Sequence, residues 1–346
     1  VRYISLFSGI EAATVAWKPL GWEPVAFAEN EKFPSAVLEN HYPEVPNLGD
    51  ITQVDWSQYE GEADVVIGGS PCQSFSVAGL RNGLDDPRGN LALEFFQAVD
   101  RIKPRWVIWE NVPGVLSSNG GRDFGSIVGA LEKLGYGWAY RTLDAQYFGV
   151  AQRRRRVFLV GHLGSANPAA AVLFEPESLR GDSAPCREAG EGAAAGVIKG
   201  AAIGREPENG PQYGEWLTDG SCYTLNCAEQ HAVAYGGNNT TGSIDVAYGL
   251  QTDATPKAAK EVSFTLKLPS ASGGGQPAAV QHGMAVRRLT PRECERLQGF
   301  PDDFTAIPWR GKPADQCPDG HRYKALGNSM AVPVVKWIGE RISEKQ

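Results

Sequence analysis

Short apolar runs, each closed by a glycine-bearing turn and most followed by an amphipathic stretch, recur along the first half of the chain. Tyr3-Ile4-Ser5-Leu6-Phe7 reads as a buried strand, Ser8-Gly9 as a tight turn, and Ala12 to Leu20 as a helix ended by Gly21. Pro24 to Ala28 is the next strand and delivers Glu29, while Asn47-Leu48-Gly49-Asp50-Ile51 follows a short third one. Asp64-Val65-Val66-Ile67 is β-branched enough for a buried strand, and Trp106-Val107-Ile108-Trp109 is another. Between them Leu91 to Ile102 has helical spacing, with Leu91, Phe95, Ala98 and Ile102 on one face. Gln152 through Arg156 is polar and Val157 to Val160 apolar, which predicts a loop entering a strand. Such alternation belongs to an α/β sheet, whose ligands bind at the carboxyl ends of the strands.

The pattern changes over Leu163 to Gly283. Gly, Ala, Ser and Thr dominate, helical spacing vanishes, and Tyr223-Thr224-Leu225 is echoed by Phe264-Thr265-Leu266. Short strands between Gly-rich turns, hence a β-rich inserted lobe, are the simplest reading. Regular structure returns at Thr290-Pro291-Arg292-Glu293, a capping box opening a helix that stops at Gly299. Ala325-Leu326-Gly327-Asn328-Ser329 reads as a turn before a closing helix over Val332 to Ile342. The expected organisation is therefore 1–162, a lobe at 163–286, and a return segment at 287–346.

Composition narrows the class. A chain of 346 residues that is 42% hydrophobic can bury a large core, and no apolar run reaches membrane-spanning length. A cytoplasmic protein without a membrane role is expected. Six scattered cysteines give no disulfide framework. Cys222, Cys227 and His231 lack an evident fourth ligand, so no metal is expected. The net charge of -7 weighs against nucleic acid as a partner, yet arginines cluster at Arg153 to Arg156 and at Arg287, Arg288, Arg292 and Arg296, and a cleft can be basic on an acidic protein.

Candidate chemistry gathers at the strand ends. In Gly68-Gly69-Ser70-Pro71-Cys72-Gln73-Ser74 two glycines allow a sharp turn, Pro71 fixes the dihedral before the thiol, and Gln73 supplies a polar group beside it. Cys72 so placed is a candidate nucleophile, or else a small buried hydrophobe. The stretch from Ala78 to Gly89, rich in glycine and charge, reads as a loop able to close over a substrate. Glu110 ends the neighbouring strand, about 5 Å away, so thiol and acid can face one small ring. Along extended chain Arg154 and Arg156 project to one side and Arg153 and Arg155 to the other. Glu29, beyond the Gly9 turn, can accept hydrogen bonds from both hydroxyls of a ribose, and Asp50 from an adenine amino group. The glycine fingerprint of dinucleotide sites is missing, which favours a ribose-bearing ligand without phosphates, such as S-adenosylmethionine.

Together Phe7-Ser8-Gly9, Pro71-Cys72-Gln73, Glu110-Asn111-Val112, Gln152 through Arg156, Arg288-Leu289-Thr290 with Glu293, and Gly327-Asn328-Ser329 resemble, in order and spacing, the DNA (cytosine-5)-methyltransferases of bacteria and phages. The resemblance implies a Rossmann-like S-adenosylmethionine-dependent methyltransferase sheet with a smaller β-rich target-recognition domain. It implies a covalent Cys72 adduct on a flipped cytosine of double-stranded DNA, assisted by Glu110, Arg156, Arg154 and Gln73. It also implies S-adenosylmethionine held by Phe7, Ser8, Gly9, Ile10, Glu29, Asp50, Ile51, Pro71, Asn328 and Ser329. The closing helix is then expected to pack back on the first strand. A monomer is expected, and a cognate restriction endonuclease would be encoded elsewhere. Methylation of transfer-RNA cytosine, a catalytically silent DNA-binding regulator and, more remotely, a dehydrogenase are the competing readings.

Overall fold

A computed structural model of the chain describes residues 1–70, 91–174 and 285–345, with short segments at 196–198, 216–217, 222–223 and 232–235. The strands are β1 (Arg2–Leu6), β2 (Glu23–Ala28), β3 (Val65–Gly68), β4 (Trp106–Asn111), β5 (Tyr136–Asp144), β6 (Gln152–Arg153), β7 (Arg155–Leu163), β8 (Gly196–Ile198), β9 (Trp216–Leu217), β10 (Cys222–Tyr223), β11 (Ala232–Tyr235) and β12 (Ala285–Arg288). The helices are α1 (Ala12–Trp17), α2 (Lys32–His41), α3 (Leu91–Ile102), α4 (Arg122–Lys133), α5 (Ala166–Leu173), α6 (Pro291–Gln298), α7 (Asp319–Asn328) and α8 (Val332–Ser343).

Six strands form one mixed sheet in the order β2-β1-β3-β4-β7-β5. The pairs from β2 through β4 are parallel and β7 runs antiparallel to both of its neighbours. Strand residues alternate between two cores, one on each face. Tyr3, Val65, Ile67, Trp106, Ile108, Phe158 and Val160 enter the first. Ile4, Leu6, Val66, Val107, Trp109, Val157 and Leu159 enter the second. Coverage on both faces is why the strands read as unbroken apolar runs rather than as alternating ones. α3 lies over the second core and buries Phe95, Phe96, Ala98, Val99 and Ile102, the face its periodicity marks.

Several elements differ from expectation. The third strand is a single parallel bridge between Phe27 and Asn47, followed by a 3-10 turn at Ile51–Gln53. Within the stretch expected to lack helices, α5 forms, started by Ser165, whose side chain accepts from the Asn167 amide. It packs on β5 and β7, and Arg341 of α8 donates to its Val172 carbonyl. An alanine-rich octapeptide has little amphipathic spacing, so packing rather than pattern decides this helix. Ala325 to Asn328 belongs to the last turn of α7 rather than to an isolated turn, its periodicity blurred by Gly320 and Gly327. The closing helix α8 packs chiefly on α1 rather than on β1, where Trp17 donates from its indole nitrogen to the Val335 carbonyl at 2.9 Å. The capping box at Thr290 and Glu293 forms as expected, and Gly299 ends the helix at φ 81°.

The described strands of the lobe are short. β12, β11, β8 and β9 form a four-stranded antiparallel sheet, and β10 pairs in parallel with β6. The predicted closing loop at 78–89 lies outside the described residues, as does the echo around Phe264.

Candidate active site

Register brings the expected residues to one edge. Leu6 pairs with Gly68, and Gly68 with Trp109, so the segments after β1 and β3 emerge beside Glu110 near the end of β4. After β1 the chain crosses to β2 on one side and then to β3 on the other; ligands bind at such a switch point.

Glu110 stands there with a buried ion pair. Arg156, near the start of β7, places its Nε 3.0 Å from Glu110 Oε1, and both side chains are more than four-fifths buried. A Cβ added at Gly69 would lie 2.9 Å from Glu110 Oε2 and one at Gly68 would lie 2.5 Å from the Leu6 carbonyl oxygen. Neither glycine has positive φ, so both are needed for close approach rather than for the sharp turn expected of them. The base of the next loop is tied down as well. Trp109 donates to the Ser70 hydroxyl and Asn111 to the Ser70 carbonyl, each at 3.0 Å. Pro71, Cys72 and Gln73 follow directly and lie outside the described residues.

The arginine run alternates as the extended chain requires: Arg153 and Arg155 are exposed, and Arg154 is 2% exposed. Arg154 does not share Glu110 with Arg156; its Nη2 donates to the carbonyls of Gly327 and Ser329 at 3.1 and 2.7 Å. Burial, then the neighbouring Arg156 cation, push its guanidinium down to about 9, which still leaves it charged near neutral pH. It ties the arginine run to the return segment.

The turn after β1 takes an unusual path. Phe7, Gly9 and Glu11 have φ of 52°, 56° and 65°, and two of the three are not glycine. Left-handed backbone costs such residues about 1–2 kcal/mol each, and strain of this kind clusters at ligand sites. Glu29 Oε2 accepts from the Gly9 amide at 2.8 Å and Oε1 from the Glu31 amide at 2.6 Å. Burial raises its pKa above the ordinary range, opposed by those two amides. The expected ribose ligand is thus also the clamp of the turn. Asp50 caps the 3-10 turn by accepting from the Thr52 amide, beside buried Ile51, and the Ile10 side chain is packed into the core.

One cleft unites the rest. Phe7, Ser8, Gly9 and Glu11 line it from one side, Gly69 and Glu110 from another, and Asn328, Ser329 and Met330 close it. The side chains of Glu29, Asp50, Ile51 and Ile10 are not among its lining residues. Glu11 and Met330 were not anticipated. The first is legible as an acid where a tight turn favours glycine; the second carries no signal beyond following Ser329. Glu11 is fully buried, and its Oε2 accepts no hydrogen bond. Among the described residues no group of His, Cys, Asp and Glu could hold a metal, and no helix could cross a membrane. Cys227 and His231 lie outside the described residues.

A mixed α/β sheet with one antiparallel strand, carrying at the carboxyl ends of its parallel strands a cleft lined by the turn after β1 and by Glu110, has the architecture of α/β methyltransferases. One solved structure of it, a methyltransferase of Entamoeba histolytica, superposes with a TM-score of 0.61 at 15% identity, covering 100% of this chain and 98% of that one. The family model for C-5 cytosine-specific DNA methylases matches residues 1–344, and the chain belongs to that family. S-adenosylmethionine is the methyl donor of the family. A protein of Escherichia phage P1 described as a DNA N-6-adenine-methyltransferase is 36% identical over 99% of this chain, which spans 61% of that relative's length. The type II methyltransferase M.SsoII of Shigella sonnei is 30% identical over 99% of this chain and 79% of its own. The cleft fits an adenosyl sulfonium donor with an amino-acid end: it offers turn amides, an aromatic residue and a buried carboxylate oxygen lacking a donor.

Proposed function

We propose that the chain transfers the methyl group of S-adenosylmethionine to carbon-5 of a cytosine flipped out of a specific duplex DNA sequence. The observation that carries this is Glu110, held by Arg156 at the cleft's edge against the glycine that opens the Cys72 loop. Carbon-5 of cytosine is too weak a nucleophile to attack a sulfonium methyl unaided. A thiolate adding to carbon-6 makes the ring an enamine, and Cys72 is the group for that step. Only Pro71 separates it from Ser70, and two residues of chain reach at most about 7 Å.

As the thiolate adds, electron density moves to ring nitrogen-3. Glu110 stabilises it there as the general acid. Arg156 orients that carboxyl and offers its remaining N–H groups to the pyrimidine carbonyl. The donor, when bound, would supply an electrophilic methyl group to carbon-5, its sulfur–methyl bond breaking to leave the neutral thioether. Loss of the carbon-5 proton to a base then drives out the Cys72 thiolate and restores the aromatic ring.

Asn328 and Ser329, positioned by Arg154, border the donor. Pro71 and Gln73 flank the thiol. A stacked base is out of reach, so the target must be extruded, at a cost of a few kcal/mol. The segment from 163 to 286 reads the flanking bases, between a catalytic part at 1–162 and a return segment at 287–346.

The test is expression in a methylation-free host followed by bisulfite sequencing, with a parallel digest for 6-methyladenine. Methylcytosine at one sequence context, lost in Cys72→Ala while DNA binding persists, is expected. Methyladenine alone, or methylation unaffected by Cys72→Ala, would overturn the reading.

A further inference from the structure

We propose that Glu11 recognises the ammonium group at the amino-acid end of the methyl donor. The inference rests on the methyltransferase reading above and adds to it a binding group, one that takes a cationic N–H donor.

Glu11 is fully buried and sits at the N-cap of α1 in left-handed backbone, φ 65°. Its Oε1 has partners: the Thr14 amide at 3.1 Å and the Thr14 hydroxyl at 3.2 Å. That oxygen alone would satisfy an N-cap, and a serine or aspartate would do so at that position. The second oxygen is the anomaly. Oε2 accepts nothing, although the residue lines the cleft with Ser8, Gly9, Asn328 and Ser329. A buried carboxylate oxygen without a donor is costly, and it persists where a ligand supplies the missing bond.

The chemistry of the missing partner follows from what such an oxygen needs. It needs an N–H or O–H donor, preferably cationic. A sulfonium carries charge but no hydrogen-bond donor; an ammonium carries both. The titratable groups acting on Glu11 are the phenol of Tyr3 on β1 and that of Tyr42 beyond α2, while Glu110 also lines the cleft and Glu29 accepts from the amide of its Gly9. These groups supply no cation. Burial raises the Glu11 pKa to about 7, partly offset by the Thr14 amide and hydroxyl and by the nearby Ser5 hydroxyl, which is close enough to favour the anion but makes no hydrogen bond to Oε2. An arriving ammonium would ionise it and release a proton.

The protein and its Glu11→Gln variant, which keeps the side chain's shape, would be titrated calorimetrically with three ligands. S-adenosylmethionine carries sulfonium and ammonium, S-adenosylhomocysteine only the ammonium, and 5′-methylthioadenosine neither. The variant should bind the first two at least about tenfold more weakly, by the same factor, and the third unchanged. Titrations of S-adenosylhomocysteine at pH 6.5 in two buffers should show proton release by the wild type and none by the variant. Unchanged affinity for all three, loss confined to S-adenosylmethionine, or equal loss including 5′-methylthioadenosine would each overturn the proposal. Wild-type protein that binds none of the three would instead overturn the methyltransferase reading itself.

Discussion

Arg154 and Ser329 are 175 residues apart in sequence, and the guanidinium of one donates to the backbone carbonyl of the other at 2.7 Å. The same nitrogen also reaches the Gly327 carbonyl at 3.1 Å. One buried cation thus fixes the return segment that closes the cleft to the arginine run that orients Glu110. Arg154→Ala would strand those two carbonyls and lower stability by about 2 kcal/mol or more. It should also weaken donor binding through Asn328 and Ser329. Thermal melts and equilibrium dialysis check both; a variant with wild-type melting and affinity would refute the tie.

Gly69 makes room for the acid. Its substitution by alanine puts a methyl group 2.9 Å from Glu110 Oε2, and the carboxyl must rotate or the strand end must shift. Gly69→Ala should lower kcat about tenfold or more while leaving KM for DNA near the wild-type value. Steady-state kinetics decide it, and an unchanged kcat would mean that the carboxyl tolerates the move.

Glu295 holds the return segment together from inside. It is fully buried and accepts from the amides of Asp303 and Thr305, from the Thr305 hydroxyl, and from Arg322 at 3.1 Å. Removing its carboxylate leaves Arg322 the longer ion-pair contacts with Asp303 and Asp319, at 3.8 and 3.9 Å, and strands two buried amides, so Glu295→Ala should cost about 3–5 kcal/mol. Urea melts would show a lower midpoint; a loss below about 1 kcal/mol would contradict this.

Glu11 links stability to pH in the direction opposite to a salt-bridged acid. Its pKa rises on folding from 4.5 to about 7, so between those values the folded chain holds a proton that the unfolded chain has lost. Stability from this group therefore falls as pH rises through the window, by about 3 kcal/mol in all. Without donor, Glu11→Gln should melt near the wild type at pH 5 and above it at pH 8. A constant offset between the two pH values would rule out this titration.

In the candidate site the residue types were visible in the sequence, and the contacts among them were not. The apolar runs of β1, β3, β4 and β7 and the face of α3 announced a sheet buried on both sides, because burial leaves no polar positions in such strands. The alternation of Arg153 to Arg156 followed from extended geometry alone. What stayed hidden was long-range. That Arg154 turns to carbonyls near residue 328 while Arg156 takes Glu110 depends on how the strand is placed against a helix end. That Gly68 and Gly69 serve close approach rather than a turn is decided by the strands beside them.

The sequence by itself determined which elements form and which chemistry they carry, since periodicity, caps and residue types are local properties of the chain. Only the tertiary structure decided that Glu29 clamps the Gly9 turn and that α8 rests chiefly on α1. It also left the second carboxylate oxygen of Glu11 buried without a donor. The physical reason is that a hydrogen bond, a cavity wall or an orphaned charge exists only between groups brought together by folding, and no spacing along the chain encodes the distance between them.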